Sequence, residues 1–163
     1  MGLSEFIREN KQAIIADWVN FARDNIPPAK YMNPVNLRDH IEAILNFVAD
    51  DLDSAQTKQE QRQKSEGLAI KAEGGDTTAE THGELRFIEG FNATEIMAEF
   101  RALRASVTRQ WENARTKTDM DYKEIVRFNE AIDQVFSDML VYYLIDFCFT
   151  QDRIDSNHEF FFQ

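Results

Sequence analysis

The sequence predicts an all-α protein, a helical bundle of four long helices plus a short one, with a globin-like packing as one arrangement open to it. Three observations lead there. Apolar residues recur at intervals of three and four over long stretches, which lines one face of a 3.6-residue helix. No segment alternates apolar and polar residues over a useful strand length. Only 6 Gly and 3 Pro interrupt 163 residues, so helix breakers are scarce.

The first helix is expected to start at Ser4, an N-cap residue type. Phe6, Ile7, Ile14, Ile15, Trp18, Val19, Phe21 and Ala22 follow at helical spacing, and Asn25-Ile26-Pro27-Pro28 ends the run. A second helix over about 34–52 carries Leu37, Ile41, Ile44, Leu45, Val48 and Leu52, with Pro34 suited to its first turn. Residues 54–65 have helix propensity but almost no apolar face, which reads as an exposed helical extension or a mobile arm. Residues 67–75 read as a loop broken at Gly74-Gly75.

A third helix over about 78–89 places Leu85 and Ile88 on one side and stops at Gly90. A fourth, about 94–115, is capped by Thr94, helped by Glu95 in its first turn. Its apolar face is Ile96, Met97, Phe100, Leu103, Val107 and Trp111. After a turn at 116–118 the fifth and longest runs over about 119–151 through Ile125, Phe128, Ile132, Val135, Phe136, Met139, Tyr142, Tyr143 and Phe147. The expected core is Ile14, Trp18, Ile41, Leu45, Val48, Phe100, Leu103, Val107, Ile132, Val135 and Met139. The chain divides into one helical sensory or regulatory domain, 1–150, and a segment 151–163 that extends the last helix or links it to an effector.

Composition narrows the function. Hydrophobic residues make up 43% and charged residues 29%, which suits a compact globule. The net charge of -11, from 29 acidic and 18 basic residues, opposes binding to nucleic acid or to an anionic membrane. A lone cysteine, Cys148, rules out an intramolecular disulfide and a cysteine metal cluster, and between Phe147 and Phe149 it reads as a small buried hydrophobe. The start lacks the features of a signal peptide, and no run of about 18 apolar residues spans a membrane. A cytoplasmic protein is the expectation.

Catalytic and metal signatures are missing from the sequence. His40, His82 and His158 are scattered with no metal-ligand spacing. Asp50-Asp51-x-Asp53 resembles the start of a calcium loop, but the Gly and closing Glu are misplaced. No Gly-x-Ser-x-Gly elbow or Gly-rich phosphate loop occurs. A non-enzyme with no metal and no cofactor is expected.

One segment is more informative: His82-Gly83-Glu84-Leu85-Arg86, Gly90-Phe91, then Glu99-Phe100-Arg101-Ala102-Leu103-Arg104. The pattern His-x-x-x-Arg-x-x-x-Gly-Phe followed by Glu-Phe/Tyr-Arg-x-Leu-Arg resembles the N-terminal input domains of bacterial sensor histidine kinases and of stressosome co-antagonist proteins (the RsbRD_N type). Ile14-Ile15-Ala16-Asp17-Trp18, His40-Ile41, Trp111 and Tyr142-Tyr143 agree with it. The resemblance implies an all-helical signal-input module that relays a stimulus to a downstream kinase or stressosome-type effector. It supplies no ligand. The sequence departs from a complete kinase: no Gly-rich ATP box is present, His158-Glu159 is followed by Phe160-Phe161, and a Gly intervenes after His82.

His82 and Arg86 stand at i and i+4, Arg101 and Arg104 at i and i+3, with Glu99 close by. These five residues make either an anion or small-ligand pocket between two helices or a buried network pairing Glu99 or Glu84 with Arg86 or Arg101. His40 or His82 could also face a core as a haem ligand, so a stand-alone small-ligand or haem-binding globin-like protein is the alternative function. The apolar positions of the last helix exceed what a small bundle covers. That predicts a homodimer packed through Met139, Tyr142 and Tyr143, with the signal leaving through 151–162.

Overall fold

The computed structural model describes residues 1–68, 78–114 and 122–160. They form six helices and no strand: α1 (Leu3–Asn25), α2 (Pro34–Asp53), α3 (Lys58–Ser65), α4 (Thr78–Ile88), α5 (Ala93–Ala114) and α6 (Tyr122–Phe160). The chain is all-helical. The break at Gly74-Gly75, the turn at 116–118 and residues 161–163 lie outside the described residues, as do the side chains of 151–160 within α6.

Each long helix is amphipathic, and the buried stripes meet in one core. All eleven residues expected there are buried. α1 begins two residues earlier than its sequence suggests. Gly2, not Ser4, is the N-cap and offers no side chain. The carboxylate of Glu124 on α6 instead accepts the amide of buried Leu3 at 3.0 Å. Asn33 caps α2, with Pro34 in the first turn.

The polar segment after α2 becomes α3, begun by a reciprocal capping box between Thr57 and Glu60 and burying no residue. Its last turn and the end of α2 before it are both anchored. Lys64 pairs with Asp51, and Arg127 of α6 donates to the carbonyls of Asp51 and Ser54 at 2.6 and 2.9 Å.

α4 departs most from its sequence pattern. Ile88 is 68% exposed, and the helix buries His82, Gly83 and Arg86 instead. Gly83 explains this orientation: a Cβ there would sit 2.5 Å from the Met139 carbonyl oxygen, so the bare backbone of α4 rests on α6. The helix closes in a left-handed turn at Gly90 (φ 81°), where Phe91 and Gly90 amides bond to the Arg86 and Phe87 carbonyls. α5 is capped by Asn92, not Thr94. Asn92 and Glu95 form a reciprocal box at 3.0 and 2.9 Å, since the chain leaving Gly90 presents Asn92 three residues before a Glu.

Further expectations fail on α5 and α6: Met97, Phe147 and Cys148 are exposed. Among the described residues, no helix is long and apolar enough to cross a membrane.

A buried ionic cluster between two helices

The shared face of α4 brings His82 and Arg86 to the start of α5, where Glu99 points back at them. All three side chains are at most 1% exposed. Arg86 Nε donates to Glu99 Oε2 at 2.9 Å. The second leg of the fork, Nη2 to Oε1, is 2.8 Å long but off the hydrogen-bond axis, so it acts as a charge contact. Nη1 donates to Glu89 Oε2 at 2.9 Å and approaches Met32 Sδ at 3.7 Å. The guanidinium lies over the Phe91 ring, 4.6 Å from its centroid. From α1, Trp18 Nε1 donates to the Glu99 carbonyl at 3.1 Å and fixes the backbone of that turn.

His82 is held differently. Its Nε2 is 3.7 Å from Glu99 Oε2, beyond hydrogen-bond length, and neither ring nitrogen has a partner. The ring makes edge contacts with Phe100 and with His40 of α2, at centroid distances of 6.1 and 5.4 Å. Burial holds the His82 imidazole below its ordinary range. Half-buried His40 is pushed down to about 4, first by burial and then by His82 and Arg86. Burial is the largest single influence on the Glu99 carboxyl and raises it, but Arg86 and His82 together outweigh it and the group stays below the usual carboxylate range. With both histidines neutral, one cation faces two carboxylates.

Of the five residues singled out from the sequence, the structure brings His82, Arg86 and Glu99 together. Arg101 is exposed; two residues from Glu99 it stands about 200° round the helix and cannot share its face. Arg104 pairs with Asp133 of α6. Sequence reading missed Glu89, Met32 and the Trp18 bond. Glu89 was open to it, three residues after Arg86. Met32 and Trp18 arrive from other elements and leave no local signal. His40 was singled out separately from His82, without a sign that the two meet.

The proposed interface residues divide likewise. Met139 is buried beneath Gly83, Tyr143 is buried with its ring 5.7 Å from that of Phe87, and Tyr142 is half-buried. The exposed apolar residues of this stretch are Val141, Leu144, Ile145, Phe147 and Phe149. Among the described residues, no group of three or more His, Cys, Asp or Glu is placed to hold a metal ion.

Chemically, the cluster is closed to bulk solvent and presents no nucleophile beside a base. It is suited to lock two helices together and to respond when a charge within it changes. No family model, no curated protein and no solved structure matches this chain.

Proposed function

We propose that this protein is a non-catalytic signal-input module of the sensor-histidine-kinase kind, acting as a homodimer, with α6 as its output element. The observation that carries the reading is the length and dress of α6. At 39 residues it is about 58 Å long, against about 35 Å for the 23 residues of α1. Past Met139 its apolar residues surround the helix, with Asp146 the one charge between Met139 and Phe149. A helix apolar on all sides is a buried helix. This chain covers one side, through Met139 and Tyr143. Val141, Leu144 and Ile145 stand on the back, where a second copy of α6 supplies the cover in a twofold pair.

The input end is α4. It rests on α6 through Gly83 and is tied to α5 through Arg86 and Glu99. A stimulus that loosens this tie shifts α4 on α6, and the long helix carries the shift to a kinase or stressosome-type effector. The test is a chimera in which residues 1–160 replace the input domain of a soluble histidine kinase, joined in helical phase through α6. Autophosphorylation should change when Arg86→Gln loosens the tie. Output indifferent to Arg86→Gln, and equal to that of a kinase with the module replaced by a plain coiled coil, would contradict the proposal.

A further inference from the structure

We infer that His82, set between Glu99 and His40, makes the α4–α5 tie a proton-operated latch. The inference deepens the input-module reading, and only its signalling consequence rests on that reading.

The geometry carries it. Buried polar groups are ordinarily hydrogen-bonded, yet both nitrogens of His82 lack a partner in a site with 1% exposure. Glu99 Oε2 lies 3.7 Å from Nε2, and that same oxygen already accepts Arg86 Nε at 2.9 Å. Neutral His82 leaves Arg86 and Glu99 undisturbed. A protonated imidazolium must find an anion, because a buried unpaired charge is far costlier than a buried neutral ring. It therefore competes with Arg86 for one carboxylate oxygen.

The surroundings sharpen the competition. Arg86 and Glu89 stand on or just past α4, Glu99 comes from α5 and His40 from α2; α1 contributes the uncharged Trp18. The first proton takes the cluster from net -1 to neutral. A second, on His40, makes it net positive, with two imidazolium rings 5.4 Å apart beside a guanidinium. The helices can relieve that repulsion by separating, and α4, the short one held by this cluster, is the one to move. Both imidazoles are held below their ordinary 6.5, so the open state binds protons more tightly than the closed state. Acid therefore favours opening as the pH falls below 6.5, and the latch is shut above it.

The test is an NMR titration of the whole chain that follows both imidazole rings and the protection of the α4 amides against exchange. Both rings should titrate below 6.5, and α4 protection should fall by about tenfold or more over the same range. His82→Gln should raise the midpoint of His40, since it removes the positive charge that forms beside it first, and should abolish the α4 step. If His82→Gln does not fold, His40→Gln decides, because His40 is only half-buried: it should remove the part of the α4 step that accompanies the second proton. Independent titration of both rings near 6.5, or an α4 step unchanged in the variants, would overturn the latch and leave the input-module reading standing. An intact step with a chimeric kinase blind to pH would overturn the coupling to output and keep the latch.

Discussion

Gly83→Ala is the sharpest perturbation of the packing that joins α4 to α6. In an exposed helix interior the substitution is favourable by about 1 kcal/mol, because alanine loses less backbone entropy. Here the new methyl would meet the Met139 carbonyl oxygen at 2.5 Å, Met139 Cγ at 3.1 Å and the Met139 carbonyl carbon at 3.3 Å. Two of these atoms are backbone and cannot turn aside. Restoring ordinary contact at 3.4 Å requires the helices to part by about 0.9 Å. A gap of that size forfeits roughly a quarter to a half of the dispersion energy of every atom pair across the contact. Overpacking of this kind costs about 1–3 kcal/mol, to which the loosened Arg86–Glu99 and Phe87–Tyr143 contacts add. The expected net loss is about 2 kcal/mol, or roughly 4–8 °C in Tm for a chain of this size. Urea unfolding followed by circular dichroism measures it, with Glu84→Ala, on the exposed side of α4, as a control expected within about 0.5 kcal/mol of wild type. A neutral or stabilising Gly83→Ala would refute the close approach of α4 to α6.

Three other outcomes are expected. Glu99→Ala should cost about 3–5 kcal/mol in the same assay, because it leaves buried Arg86 with Glu89 alone, while Glu99→Gln, which keeps an acceptor oxygen, should cost less; equal losses would speak against the ion pair. His40, half-buried and pushed down to about 4, contributes stability that is complete above pH 6.5 and lost as pH falls toward 4. After discounting for its exposure this amounts to about 1–2 kcal/mol, and His40→Gln should flatten that part of the stability–pH curve. Sedimentation velocity at micromolar concentration should give twice the 19.0 kDa of one chain, with Leu144→Glu returning the single mass; one chain at every concentration would leave the back of α6 uncovered and the dimer wrong.

Much of the fold was legible because burial in a bundle leaves a periodic trace. The i, i+3, i+4 rows of α1, α2, α5 and α6 located those helices and all eleven core positions. What the rows do not encode is which face a short helix turns inward when its packing is set by one glycine. In α4 the apolar residues Leu85 and Ile88 advertised a face, yet Gly83 permits a backbone contact no side-chain pattern announces, and the polar face went in. The caps were misassigned for a related reason. The Leu3 amide is satisfied by Glu124, more than a hundred residues away, and the Asn92 box depends on how the chain leaves Gly90. For the site, i and i+4 spacing was enough to pair His82 with Arg86, and it left Glu99 and Glu84 both open as the acidic partner. The approach of His40 and Trp18 depends on how α2 meets α4 and α1 meets α5, and no local pattern carries that.

The claim on which the functional account turns is that the buried cluster governs α6. Hydrogen exchange of the amides of residues 139–150, compared between wild type and Arg86→Gln, tests it most directly. These amides are far from Arg86 along the chain and reach it through the seat of α4 on Met139. The account predicts faster exchange over this stretch in the variant while the α1 and α2 amides keep their protection. Exchange over 139–150 identical to wild type, in a variant that has lost the Arg86–Glu99 tie and remains folded, would contradict it.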